Sequence, residues 1–248
     1  MDWEAPAVVL EAAPYGEADL IVTVMTEAHG RHRGLARGGA GRRQAALWQP
    51  GNLVQARWRG RLADQLGHMS AEPVHATAAQ VLDDALALAL LSAATATAAG
   101  ALAEREPHPG VFAGLLGVLA RLADPAAAMT DYVRWEVVLL AELGYGLDLT
   151  RCAVTGAAAG LAFVSPRTGR AVTAAAAGEW AGRLLRLPGF LAGGNSAEAA
   201  DWRDGLALTG HFLERDAFGA RHQPLPVARR MLYERVAQLA DESEPGDA

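Results

Sequence analysis

The sequence predicts an α+β protein, a small five-stranded N-terminal β-barrel followed by an all-helical domain with one small inserted hairpin. Three observations predict it. Over roughly the first 75 residues apolar and polar side chains alternate in short runs broken by Gly, Pro and His, the period of half-buried strands. Beyond Pro73 the apolar spacing lengthens to that of helices. And 248 residues, of which 51% are hydrophobic and 20% charged, can bury one good-sized core or two small ones, which excludes a disordered tail or a fibrous repeat.

Five runs read as strands, 8–13, 20–26, 31–37, 53–62 and 65–71. The turns between them contain Pro14-Tyr15-Gly16, His29-Gly30 and Gln49-Pro50-Gly51-Asn52, whose residues suit a positive φ or a preset bend. Thr77-Ala78-Ala79-Gln80 reads as a capping box, Asp83-Asp84 as acids placed to favour a helix N-terminus, and 85–103 as a long uncharged Ala/Leu helix. That run is short of strongly lipid-favouring residues, so it is expected to be buried in a soluble domain rather than to cross a membrane. Asp124-Pro125 marks cap and first residue of another helix, with Tyr132, Trp135, Leu139 and Leu143 on one face and Gly144 and Gly146 ending it. A hairpin is expected from 161–164, the turn Ser165-Pro166-Arg167-Thr168-Gly169 and 170–172. Helical patterns resume at 174–187, 197–215 and 226–240. The expected domains are therefore 1–75, then 76–240 with the hairpin insert at about 151–173, and a flexible acidic tail at 241–248.

Composition removes several kinds of chemistry. All 22 basic residues are arginine, so a phosphate-loop lysine or a Schiff-base lysine is impossible. The single cysteine, Cys152, rules out an intrachain disulfide or a Cys-x-x-Cys site and fits a reducing cytoplasm; an acidic N-terminus without an apolar stretch does not predict secretion. The seven histidines are scattered, with no His-Glu-x-x-His. Gly194-Asn195-Ser196-Ala197-Glu198 lacks the second glycine of a nucleophile elbow and reads as a loop with a helix cap. His68 or His75 beside Asp64 is the best remaining pair for an enzyme. No catalysis and no cofactor are expected.

Charge distribution is more informative. The net charge is −6, yet 28–63 contains no acid and eight arginines: Arg31, Arg33, Arg37, Arg42, Arg43, Arg57, Arg59 and Arg61. Period two puts Gln55, Arg57, Arg59 and Arg61 on one strand face and Val54, Ala56, Trp58 and Leu62 on the other. Arg42 and Arg43 fall in a glycine-rich loop expected to be flexible. Like charges two apart on a strand repel, and the local sequence supplies no counter-charge. Such a strip on a small barrel is the form of an oligonucleotide-binding (OB) fold, in which guanidinium groups grip phosphates and stack on bases. Alternatively the arginines are a solvated face paired with acids elsewhere in the fold. Trp58 should face the core, while Trp48 is free to do either.

Four ordered motifs carry a resemblance: Pro14-Tyr15-Gly16-Glu17-Ala18-Asp19-Leu20-Ile21-Val22, Thr26-Glu27-Ala28-His29-Gly30-Arg31, Gly34-Leu35-Ala36-Arg37-Gly38 and Leu47-Trp48-Gln49-Pro50-Gly51-Asn52. With 143–152 and 164–169 they make nearly the whole chain resemble the RecO family of DNA repair proteins. The resemblance implies an OB barrel followed by a helical domain, and a cytoplasmic bacterial recombination mediator of the RecFOR pathway and SOS response, nucleoid-associated when on DNA. It also implies binding to single- and double-stranded DNA, strand annealing, contact with RecR and with the C-terminal tail of single-stranded DNA-binding protein (SSB), and indirect action on RecA. The eight arginines would be its DNA strip. Many members carry a zinc module whose positions here are Cys152, Thr155, Thr173 and Ala176, so no zinc is expected and Leu161, Phe163 and Val172 should hold the hairpin by packing. The resemblance puts the SSB-tail site in the helical domain, where Arg121, Arg134, Arg215, Arg221, Arg229 and Arg230 are candidates. The alternative is a protein-interaction adaptor that docks an acidic partner on the arginine strip.

Overall fold

The computed structural model describes residues 1–61, 65–194 and 197–243. Leu62 and Asp64, Asn195 and Ser196, and the tail beyond Ser243 lie outside the described residues, and with them the expectations placed on those positions. The chain forms two compact units, Met1–Ala128 and Met129–Ala248.

The first unit is built on a closed barrel of order β1-β2-β3-β5-β4, from β1 (Asp2–Tyr15), β2 (Asp19–Thr26), β3 (Gly30–Ala36), β4 (Leu53–Arg59) and β5 (His68–His75). β1 pairs antiparallel with both β2 and β4, and β4 with β5, while a parallel Leu35–His68 pairing of β3 and β5 closes the ring. This is the OB arrangement. β1 begins six residues earlier than the local pattern shows, because Asp2 to Val8 pair one for one with Arg59 to Leu53. Conversely, β4 ends at Arg59, leaving Arg61 just beyond it. Val9, Val22, Val24, Val54, Ala56 and Trp58 fill the barrel. Trp48 joins them at 2% exposure.

The 38–43 segment is not a plain loop: α1 (Arg42–Leu47) forms there. Asn52 anchors its end by donating from the side-chain amide to the carbonyls of Ala46 (2.9 Å) and Leu47 (3.2 Å). The Asn52 Oδ1 accepts from the Ala78 N–H at 3.2 Å, which ties down α2 (Thr77–Gln80) without the expected capping box; Thr77 is inside the helix and buried. α3 (Ala85–Ala101) starts on Asp84, whose carboxylate accepts from the Leu86 and Ala87 N–H groups. α4 (Pro109–Ala120) follows, a helix the sequence reading did not assign; Pro109 opens it and Val111, Phe112, Leu115, Val118 and Leu119 are buried.

Between α3 and α4, the segment Glu104–Glu106 lies against β3. The Arg105 N–H donates to the Arg31 carbonyl at 2.8 Å. Gly30 makes this approach possible: its φ is +62° and a Cβ there would sit 2.0 Å from the Glu106 carbonyl oxygen.

α5 (Pro125–Glu142), most of which belongs to the second unit, starts on Asp124 and buries Tyr132, Trp135 and Leu139 as expected, whereas Leu143 falls just past its end and is half-buried. A three-stranded sheet β7-β6-β8 follows, with β6 (Leu161–Val164), β7 (Ala171–Thr173) and β8 (Leu185–Arg186). The expected helix over 174–187 is broken. Only α6 (Ala174–Ala177) is α-helical; Gly178 takes φ +47°, a 3-10 turn covers Gly178–Arg183, and β8 completes the sheet. α7 (Ala199–Phe212) continues into a π-helical turn at Leu213–Phe218, and α8 (Val227–Ser243) ends the described chain. Among the described residues no helix is long and apolar enough to cross a membrane.

Candidate nucleic-acid interface

The alternation on β4 sorts its side chains as the sequence predicts. Val54 and Ala56 are fully buried and Trp58 is 2% exposed, whereas Arg57 and Arg59 are exposed. Arg57, Arg59 and, from the end of β3, Arg37 line a depression of about 490 Å³ with His68. Arg59 and Arg61 line a neighbouring one of about 740 Å³ with Met1 and Gly67. The two share Leu35, Arg59 and His68, so they form one groove over the place where β3 and β5 close the barrel.

Counter-charges are present, contrary to the expectation from local sequence. Glu4 stands opposite Arg57 in the β1–β4 register and takes its Nε–H at 2.7 Å. Glu72 on β5 approaches Arg57 from the other side at 3.5 Å. The hydrogen bond from Arg57, joined by one from Gln55, holds the Glu4 carboxyl below its usual range. Glu104 pairs with Arg33 and lies 3.9 Å from Arg31, and Arg31 also donates to the Ala99 carbonyl at 2.8 Å. Arg31, Arg33 and Arg57 therefore have acidic partners from other elements. Arg37, Arg42, Arg43, Arg59 and Arg61 are exposed and have no acidic partner among the described residues. Sequence reasoning missed the acids because each comes from another element.

It also missed an aromatic cluster beside the groove. The rings of Trp3 and His29 stack at 4.7 Å, and His32 stands edge-on to Trp3 and Trp58. Burial, with Arg105 nearby, pushes the His32 ring down to about 4. Trp48 and Trp58 belong to the core, and Trp58 Nε1 donates to the Leu66 carbonyl at 3.0 Å.

The candidate partner arginines meet different fates. Arg229 is 1% exposed; its Nε and Nη2 donate to the two Glu136 carboxylate oxygens at 2.6 and 2.9 Å, and Nη2 also reaches the Leu206 carbonyl at 2.8 Å. It is a buried structural cation and cannot receive a peptide. The signal was in the sequence, since Arg229 falls on the stripe of Leu232, Val236 and Ala240 that α8 buries. Arg230, one residue on, is exposed. Arg134 is exposed, pairs with Asp131 at 3.5 Å and lies over the Phe190 ring. Arg215 makes a bidentate pair with Asp216 and donates to the Pro166 carbonyl, fixing the 165–169 turn. Arg221 donates to the Ala217 carbonyl at 3.1 Å, and Arg121 is exposed at the end of α4.

The four positions of the zinc module remain together. Cys152 Sγ lies 3.7 Å from Thr173 Oγ1 and accepts from the Thr173 N–H, while Thr173 Oγ1 accepts from the Ala176 N–H. Hydrogen bonds from Thr155 and nearby backbone N–H groups draw the thiol down to about 6. One thiol, two hydroxyls and a methyl do not fit a structural zinc, which takes four Cys, His or carboxylate ligands. Packing fills the place instead: Cys152, Val172 and Ala177 form a cluster against which Leu161 and Phe163 lie, as expected.

Comparison with known proteins agrees along the chain. Residues 1–77 match the family model described as Recombination protein O N terminal, and residues 82–223 match Recombination protein O C terminal. The chain is 54% identical over 244 residues to the DNA repair protein RecO of Granulibacter bethesdensis, covering 97% of this chain and 98% of the relative. It is 56% identical over 252 residues to that of Gluconacetobacter diazotrophicus, covering 99% and 98%. With that of Acidiphilium cryptum it shares 57% over 242 residues, covering 96% of each.

Proposed function

The chain belongs to the RecO family of DNA repair proteins, and from that premise we propose that it is a non-enzymatic recombination mediator. It binds single- and double-stranded DNA on the barrel, anneals complementary strands and, with RecR, helps RecA to load on DNA coated by SSB. The observation that carries this reading is the groove with Arg37, Arg59 and Arg61, exposed cations without an acidic partner among the described residues. Guanidinium groups take phosphates bidentately. Neutralising phosphates on two strands lowers their repulsion, so complementary bases pair while no covalent bond is made or broken. Arg42 and Arg43 on α1 add a second basic site on the same barrel. The SSB tail docks on the helical domain, with Arg134, Arg215, Arg221 and Arg230 there and Arg121 on α4 as the remaining candidates.

The test is annealing of complementary oligonucleotides without any nucleotide cofactor. Wild type should accelerate it, and hydrolysis of ATP above background would overturn the non-enzymatic reading. One observation favours a second reading: Arg57 already holds two carboxylates, Glu4 and Glu72, so the strip could instead dock an acidic protein segment. Competition decides between them. If the groove serves DNA, an oligonucleotide displaces an acidic peptide from it at far lower concentration than the reverse.

A further inference from the structure

Beside the groove the barrel holds a cavity of about 180 Å³, flanked by the exposed Met1 and Ala28 and walled by Trp3, His29, His32, Trp58 and Arg105. Its walls are flat rings. Trp3 stacks on His29 at 4.7 Å and 16°, Trp58 lies nearly parallel to Trp3 at 6.5 Å and 13°, and His32 stands edge-on to both. Several polar atoms of its walls lack partners: Trp3 Nε1 and Arg105 Nε are buried without a hydrogen bond, and the His32 ring nitrogens, also without one by geometry, have the His29 backbone as a polar neighbour. His32 is only 5% exposed, and folded proteins rarely leave such groups unpaired.

A neutral His32 offers one donor and one acceptor, and Trp3 and Arg105 add two donors. Flat walls with three donors and one acceptor complement a planar ring whose edge has carbonyls flanking an N–H, as in thymine. We propose that this cavity receives one unpaired nucleobase, stacked against Trp3 and hydrogen-bonded by Trp3, His32 and Arg105. The proposal rests on the DNA-binding reading and deepens it, the arginines holding phosphates and the cavity one base. Met1 lines both cavity and groove, so a strand lying in the groove passes the cavity mouth.

The experiment compares an oligothymidylate with an abasic strand of equal length by fluorescence anisotropy, for wild type and for Trp3→Leu and His32→Leu. Wild type should prefer the thymidylate about tenfold, the worth of one stacked base. The variants should bind the abasic strand like wild type, with the same salt dependence, and lose the preference. On wild type alone, the His32 ring proton resonances should shift with the thymidylate and not with the abasic strand, which tests the cavity even if a variant misfolds. Equal binding of both strands by wild type would overturn the base cavity and leave the groove reading standing. A preference that persists in folded variants would also overturn it. No binding of either strand at low salt would overturn both.

Discussion

Arg57 and Glu4 face each other across the β1–β4 pair, Nε to Oε2 at 2.7 Å, in a groove whose other arginines, Arg37, Arg59 and Arg61, have no acid beside them among the described residues. The barrel thus neutralises one arginine of the groove and leaves the other three open. Glu4→Gln keeps a hydrogen-bond acceptor and removes the charge. Single-stranded DNA affinity at low salt should rise about two- to fivefold, the range of an exposed ion pair. The salt slope should steepen by up to about 0.7 as Arg57 gains a phosphate. Titration at several salt concentrations checks both.

Arg229 and Glu136 form the buried counterpart in the helical unit, with Thr209 Oγ1 donating to Glu136 Oε2. Removing one partner strands a charge away from water. Glu136→Ala or Arg229→Ala should each cost about 3–5 kcal/mol in denaturant unfolding, and the double change Glu136→Leu/Arg229→Met much less than the sum. Additive losses would show that the two residues act independently.

His32 makes stability depend on pH in a stated direction. Burial first, then Arg105 and His29, push its ring down to about 4, with Glu104 opposing. Unfolded, the ring takes its proton near 6.5. Between these values the unfolded state binds more protons, so stability falls as pH drops from 6.5 towards 4, by at most about 1.4 kcal/mol per pH unit. Unfolding midpoints across that range should show the slope in wild type and a flatter one in His32→Leu.

The barrel was legible because period two on β4 is a local property; Val54, Ala56 and Trp58 turned inward and Arg57 and Arg59 outward as the alternation requires. What escaped is tertiary. The first residues of β1 are strand only because β4 pairs with them, and charged Asp2 and Glu4 with Pro6 hide the pattern. Glu4, Glu72 and Glu104 reach the arginines from other elements, so no window of sequence shows the compensation. The 174–187 segment follows helical spacing, but Gly178 turns left-handed and β6 recruits Leu185 and Arg186 as a strand. Arg229 and Arg230 stand side by side as partner-site candidates in the sequence, yet a helix rotates successive residues apart, and Glu136, far away in sequence, waits for the inner one.

The central claim is that the unpaired arginines of the groove hold DNA phosphates. The measurement is anisotropy of a labelled single-stranded oligonucleotide across a salt series, with wild type, an Arg37/Arg59/Arg61→Ala triple variant and an Arg31/Arg33→Ala control. The triple variant should lose more than about tenfold in affinity with a salt slope shallower by about 2, as expected for three lost phosphate contacts, and the control, whose arginines face Glu104, should change far less. Unchanged affinity and slope in the triple variant would contradict the account.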